Sequence, residues 1–142
     1  MTEATVCTSL RAALLRLLPG AIIYKHHDLS TKGIPDLSVN WHDRTAWIEV
    51  KLMKPTEPVA AFKKHFEAVQ LANAVLLERQ VMTLYFVTYP INGELRAVLW
   101  RPTDLHHLLL SDFEVYNWRR ELACGTFHQM IEWVSMRMGL NR

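Results

Sequence analysis

Two acidic residues and a lysine are the residues of this sequence whose types and spacing point most directly to chemistry. Asp36 is followed thirteen residues later by Glu49, and Lys51 comes two residues after that. They lie in two segments, 35–41 and 44–52, in which apolar and polar residues alternate and which only two residues separate. This pattern predicts a β-hairpin with a two-residue turn.

The predicted hairpin brings the two acids together. With His42-Asp43 as the turn, the numbers of opposed residues sum to 85, so Asp36 lies directly across from Glu49. Opposed residues have Cβ atoms about 4.5–5.5 Å apart. Because side chains alternate between the two faces of a strand, Lys51 and Trp47 share the face of Glu49.

Two carboxylates this close cannot both stay ionised comfortably on a half-buried sheet. A hard divalent cation, Mg²⁺ with Mn²⁺ as a substitute, resolves the repulsion with carboxylate, water and phosphate oxygens as ligands. Lys51 is suited to orient or help deprotonate an attacking water and to offset charge on a pentacovalent phosphorus. The three residues therefore predict hydrolysis of a phosphodiester.

The elements that position these residues follow from hydrophobic periodicity and turn signals. Helices are predicted over 4–18, which Pro19-Gly20 ends, over 59–79, and through 102–142. Strands are predicted over 21–26, in the hairpin, over 81–89 and, after Asn92-Gly93, over 95–100. The predicted order is α-β-β-β-α-β-β-α-α, and the polar stretch 27–33 is predicted to be a loop.

Composition limits the kind of protein. The 142 residues are 50% hydrophobic and 21% charged, which predicts one globular domain, 1–142. No apolar run approaches the roughly 18 residues of a membrane span, and the early acid argues against a signal peptide, so we expect a cytoplasmic protein. A net charge of +2 excludes a strongly basic nucleic-acid binder. Cys7 and Cys124 lie too far apart for a zinc knuckle.

The segment Gly33-Ile34-Pro35-Asp36, followed by Glu49-Val50-Lys51, resembles the motif of the PD-(D/E)xK nuclease superfamily. It is most similar to the virus-type replication-repair nucleases (VRR-NUC), relatives of the Holliday-junction resolvases. The resemblance implies an α/β fold with a restriction-endonuclease-like αβββαβ core, a central mixed sheet flanked by helices. It places that core at about 3–89 and leaves about 94–142 as a C-terminal extension.

The resemblance also implies roles for individual residues. The metal ligands would be Asp36, Glu49 and the backbone carbonyl of Val50, with Lys51 as the catalytic lysine. Gln70 matches the family's glutamine in the helix after that strand, although Phe66-Glu67 and Arg79-Gln80 depart from the family pattern around it. Glu3, which opens the first helix, matches a glutamate that reaches the metal site and is a candidate for a second site.

Five lysines near the motif are candidate phosphate contacts, with an ordinary solvated face as the alternative: Lys25, Lys32, Lys54, Lys63 and Lys64. His26-His27 could act as a base or a phosphate contact, but partly exposed loop residues are the preferred interpretation. Tryptophans can stack on unpaired bases, yet core or dimer packing is the expectation for all except Trp47, which shares the face of Glu49.

The sequence therefore predicts a Mg²⁺-dependent DNA endonuclease that cuts branched DNA such as a Holliday junction in replication, recombination or repair. Symmetric junction cutting needs two active sites, so a homodimer is expected, with the C-terminal helices as the interface. No membrane or nucleotide cofactor is expected, and a bacterium or a phage-infected host is the expected setting. A sequence-specific restriction-type or mismatch endonuclease is one alternative, and a non-catalytic DNA-binding or assembly subunit is another.

Overall fold

A computed structural model describes residues 1–26, 34–54, 59–110 and 121–139. The helices and strands in these ranges follow one another in this order: α1 Glu3–Leu17, β1 Ile22–Lys25, β2 Leu37–Trp41, β3 Arg44–Leu52, α2 Val59–Lys64, α3 Ala68–Glu78, β4 Met82–Ile91, β5 Glu94–Trp100, α4 Pro102–Leu110, β6 Ala123–Thr126 and α5 Phe127–Gly139. Among the described residues, no helix is long and apolar enough to cross a membrane.

The strands form one mixed sheet in the order β1-β2-β3-β4-β5-β6. The β3–β4 pair is parallel, and the other neighbouring pairs are antiparallel. A parallel pair needs a long crossover connection, and α2 and α3 supply it. The predicted α/β fold, a mixed sheet flanked by helices, is confirmed.

The hairpin of β2 and β3 has the register that the sequence predicts. Trp41 pairs with Arg44, and Leu37 pairs with Ile48, so each pair sums to 85. His42 adopts a φ of 57°, the left-handed conformation that tight hairpin turns use. The register directs alternate side chains of both strands to opposite faces of the sheet.

Each face of the sheet packs against different helices. On one face, α1 and α5 cover apolar residues from all of β1–β5, including Leu37, Ile48 and Phe86. On the other face, α2, α3 and α4 cover β4 and β5, with Tyr85 and Trp100 among the buried residues. This second core cluster contains no described residue of β1, β2 or β3, so that half of the face is left to polar and aromatic side chains.

Three expectations about the elements need correction or qualification. The predicted helix 59–79 is broken at 65–67, where Glu67 has an extended backbone and precedes α3. The predicted all-helical C-terminal segment contains β6, which pairs with β5 at the sheet edge. The apolar stripe of α5 packs into the core, so these side chains are not available for a dimer interface, and the expected interface through the C-terminal helices stays a prediction. The predicted loop 27–33 and Trp118 lie outside the described residues.

Candidate active site

Asp36 and Glu49 meet at the edge of the sheet where β3 ends and β2 begins. The Asp36 backbone N–H donates a hydrogen bond to Glu49 Oε1 at 3.0 Å, and the Val50 N–H donates one to Asp36 Oδ2 at 2.9 Å. Glu49 is buried and Asp36 is half-buried. Because the backbone holds one oxygen of each carboxylate, the two groups are fixed relative to each other.

Lys51 completes the group on the same face of β3. Its Nζ lies 3.4 Å from Glu49 Oε2, and the exposed fractions of the two side chains are 13% and 4%. A largely buried ammonium needs anionic partners to offset its lost hydration. The arrangement therefore anchors Lys51 beside the carboxylates rather than leaving it as a solvated surface charge.

The charge of Glu49 is disfavoured in this position. Burial raises the pKa of Glu49 to about 8, and a hydrogen bond and charge repulsion from Asp36 act in the same direction, while Lys51 opposes them. Without a further cation, the pair of carboxylates thus retains a proton near neutral pH. A divalent cation between the two would remove that penalty.

The backbone carbonyl oxygen of Val50 is a third candidate ligand beside the two carboxylates. The hairpin leaves it without a hydrogen-bond partner in the ladder between β2 and β3. N–H and C=O of one strand residue point to the same side, and the Val50 N–H points toward Asp36. Extending the observed register by one hydrogen-bonded pair beyond Leu37 and Ile48 would place Pro35 opposite Val50. Pro35 has no N–H to donate, so it cannot close the ladder onto the Val50 carbonyl.

The donor set fits a hard cation such as Mg²⁺. Two carboxylates and a carbonyl are oxygen ligands, and Mg²⁺ is commonly held by one or two carboxylates while keeping several waters. Among the described residues, no three His, Cys, Asp or Glu side chains form a group that could hold a metal ion. The site thus offers a two-carboxylate arrangement, and Glu3 does not turn it into a ready-made three-carboxylate cluster.

Glu3 nevertheless lies within electrostatic reach of the site. Thr2 caps α1 by accepting a hydrogen bond from the backbone N–H three residues on, at 3.2 Å, which fixes the start of the helix. The Glu3 side chain is exposed as a whole. Partial desolvation of its carboxyl raises its pKa, Asp36 raises it further, and Lys51 and His65 lower it.

The structure does not join Gln70 to the acidic pair. Gln70 is half-buried in the first turn of α3. Within the part of the chain that the structure describes, it makes no hydrogen bond to Asp36, Glu49 or Lys51. The role implied for it by the resemblance therefore stays a prediction.

The candidate phosphate contacts are distributed over several elements. Lys25 is exposed in β1 and donates a hydrogen bond to Thr8 Oγ1 at 3.0 Å. Lys54 is exposed just after β3, and α2 ends with half-buried Lys63 and exposed Lys64. Lys32 lies outside the described residues. These positions are compatible with a backbone-contacting surface around the site, and their contact with DNA stays a prediction.

Two neighbours of the site come from strands whose register the sequence does not reveal. The His26 N–H donates to the Asp36 carbonyl at 2.8 Å, so the end of β1 reaches the site. Tyr85 of β4 pairs with Glu49 and is fully buried. No described residue hydrogen-bonds its hydroxyl, and burial followed by the charge of Glu49 raises its pKa.

No protein-family model matches the sequence, and no curated protein is detectably similar to it. Among solved structures, the chain is similar to Hjc from Archaeoglobus fulgidus, a Holliday junction resolvase from an archaeal hyperthermophile. The TM-score is 0.53, the identity is 14%, and the match covers 93% of this chain and 98% of that chain. The two chains share a fold.

Proposed function

We propose that this protein is a metal-dependent DNA endonuclease that cuts branched DNA, with the Holliday junction as the first candidate substrate. The observation that carries the proposal is the fixed group of Asp36, Glu49 and Lys51 at the end of β3. The similarity to a Holliday junction resolvase supports it through the fold. The finer placement among the virus-type replication-repair nucleases rests on the motif residues.

In the proposed mechanism, Asp36, Glu49 and the Val50 carbonyl would hold Mg²⁺. When bound, the cation would supply Lewis-acid activation of the phosphodiester and lower the pKa of water at the site. Lys51, anchored by Glu49, would orient the attacking water and offset the negative charge that develops on the phosphate oxygens. Glu3 would contribute a further carboxylate, and Gln70 would hydrogen-bond Lys51, a water or a phosphate.

DNA would be held mainly by its phosphates. The lysines at positions 25, 32, 54, 63 and 64 would contact the backbone without reading bases. Symmetric incision of a four-way junction requires two active sites, so a homodimer is part of the proposal. The setting would be the cytoplasm of a bacterium or of a phage-infected cell.

A substrate panel tests the proposal. Purified protein with Mg²⁺ is incubated with labelled four-way junctions, flaps, linear duplex and single strands. Paired symmetric nicks in the junction are expected, whereas cutting of linear duplex at one sequence would indicate a restriction-type enzyme. Binding without cleavage of any substrate would indicate a non-catalytic subunit and contradict the proposal.

Variants connect the activity to the site. Asp36→Asn and Lys51→Ala should each lower the cleavage rate at least about 100-fold, because each removes a group that stabilises charge in the reaction. Junction binding should largely persist in both. Glu132→Gln is the matched control, since Glu132 is an exposed acid of α5 on the opposite side of the sheet. Wild-type rates in Asp36→Asn or Lys51→Ala would show that the site is assigned wrongly.

A further inference from the structure

A row of three rings lies over β1–β3, on the face of the sheet that carries Glu49 and outside the second core cluster of the described residues. The His26 ring stacks on Trp47 with centroids 4.9 Å apart and planes at 29°. Tyr24 lies on the other side of His26, with centroids 6.4 Å apart. Ser38 pairs with both Tyr24 and Trp47 in the sheet, and it lies 2.8 Å from His26 Nε2. The small serine leaves room for the rings to meet across three strands.

The row begins at the candidate active site. The His26 backbone donates its hydrogen bond to the Asp36 carbonyl at 2.8 Å. Trp47 precedes Glu49 by two residues on the same face of β3, a separation of about 7 Å along a strand. A DNA strand whose phosphate lies over the two carboxylates therefore passes within one nucleotide of the rings.

The outer end of the row is open to solvent. Tyr24 is 57% exposed, and Ile22, its neighbour on the same face of β1, is 56% exposed. The core cluster that α2, α3 and α4 form over β4 and β5 includes no described residue of β1, β2 or β3. The two side chains thus leave apolar and aromatic surface available for contact with a ligand.

We propose that the row of Tyr24, His26 and Trp47 binds unpaired nucleobases of branched DNA by stacking, next to the cleavage site. The base-binding proposal rests on the proposed function, and it gives a physical reason why the protein would prefer branched DNA to duplex DNA. Base faces in a duplex are occupied by their neighbours, whereas bases at a branch point can leave the stack and expose a face. Stacking on aromatic rings tolerates every base, because each base has a π face.

The polar surroundings of the row suit a nucleobase better than a purely apolar partner. Thr45 Oγ1 donates to Asn40 Oδ1 at 2.9 Å beside the rings, and the Ser38 hydroxyl lies among them. Nucleobase edges carry donors and acceptors that such groups can meet.

A thermodynamic cycle tests the proposal without requiring cleavage. Binding is measured in EDTA to a four-way junction with two unpaired thymidines at the branch point, and to the same junction with abasic sites in their place. For the wild-type protein, loss of the bases should weaken binding by at least roughly 5- to 160-fold, the range expected when one base stacks on the rings. For the Tyr24→Leu variant, replacing the thymidines by abasic sites should weaken junction binding by a markedly smaller factor.

Two control variants separate stacking from structure. Tyr24→Phe keeps the ring and should behave as the wild type, while Leu76→Ala, at a position on α3 that is 56% exposed, should change neither affinity. Because Tyr24 is mostly exposed, Tyr24→Leu should remain folded. If the effects of Tyr24→Leu and of the abasic sites on the binding free energy are additive, the rings do not bind the bases. This result would overturn the proposal.

Cleavage of the same junctions in Mg²⁺ distinguishes the two proposals. Suppose that the junctions are cleaved but that the effects of Tyr24→Leu and of the abasic sites on binding are additive, which means no coupling. This outcome would leave the nuclease proposal intact and overturn the base-binding proposal. Coupling without cleavage would support base binding and contradict the nuclease proposal. A shift from dimer to monomer in Tyr24→Leu, with no coupling, would show that the row contacts a second copy of the chain and would overturn base binding.

Discussion

Asp36 and Glu49 show how far the chemistry of a pair of residues follows from sequence alone. Their opposition across a hairpin, and the repulsion between them, follow from a two-residue turn and the alternation of side chains. The backbone hydrogen bonds that fix each carboxylate do not follow from these two rules. They depend on a bend at Asp36, where regular strand geometry ends. The positions of His26 and Tyr85 beside the site could not be predicted either, because they depend on pairing between strands that loops or helices separate.

The raised pKa of Glu49 predicts how stability depends on pH. The folded metal-free protein holds a proton on this group up to about pH 8, whereas the unfolded chain releases it near 4.5. The unfolded state thus binds fewer protons between these values. The free energy of unfolding should therefore fall as pH rises from about 4.5 to about 8, by at most about 1.4 kcal/mol per pH unit from this one proton, and then level off.

Urea unfolding from pH 4 to 9 in EDTA measures this dependence. Glu49→Gln, which cannot ionise, should lack the contribution and show a flatter profile over that window. Saturating Mg²⁺ should also flatten the wild-type profile, because the cation favours the ionised pair. An identical pH profile in Glu49→Gln would contradict the assignment.

At the scale of elements, prediction succeeded where short-range geometry decides the structure. The turn at His42 sets the hairpin register, and β4 is recognisable as an almost continuously apolar run, as expected for a strand buried on both faces. It failed at β6, whose sequence ACGT is short and poor in β-branched and aromatic residues. That strand forms because the edge of β5 is available to pair with it. The break at 65–67 was also missed, because no proline or glycine marks it.

Pro35 provides a test of how the end of β2 shapes the site. In Pro35→Ala, the substituted residue gains an N–H that can pair with the Val50 carbonyl and extend the ladder by one step. The carbonyl would then be less available to a cation, and Mg²⁺ or Mn²⁺ affinity should fall about 10-fold, the lower end of the losses seen when groups supporting a metal site are changed.

Calorimetric titration with Mn²⁺ measures the change. Pro102→Ala is the matched control, because Pro102 is also buried but begins α4, which packs on the part of the sheet formed by β4 and β5. It should leave metal affinity unchanged. Equal affinities in Pro35→Ala and the wild type would show that the Val50 carbonyl takes no part in metal binding.

The charge of the whole molecule predicts the strength and salt dependence of DNA binding. A net charge of +2 is small for the proposed DNA enzyme, but a cation bound by Asp36 and Glu49 would offset negative charge where DNA would lie. Each phosphate contact contributes about −0.9 to the slope of log affinity against log salt. Lys64→Ala should therefore make the slope less steep by about 1 if Lys64 contacts one phosphate.

Junction binding across a salt series provides this measurement. Arg79→Ala is the control, since Arg79 is an exposed cation directly after α3 and is not one of the five candidate phosphate contacts. Its slope should match that of the wild type. A wild-type affinity that does not change with salt would contradict the phosphate-contacting surface altogether.

The α/β fold class and its central mixed sheet could be predicted from a motif of a few residues, although overall sequence similarity carries little information. At 14% identity, the match to the resolvase structure extends over 93% of this chain. The hairpin and the crossover that follows it restrict how the remaining strands can be arranged. The packing of α5 beside α1 could not be predicted, because an apolar stripe on a helix does not reveal which surface it covers.

The thirteen-residue spacing between the two carboxylates has a consequence for the order in which the chain folds. A hairpin closes in about 1–10 μs, whereas the parallel pairing of β3 with β4 must first pay the entropy of closing a long crossover. Asp36 and Glu49 therefore come together while water still surrounds and screens them. Their burial follows when β4, α2 and α3 dock, so the electrostatic cost of burying this pair is deferred until those elements pack.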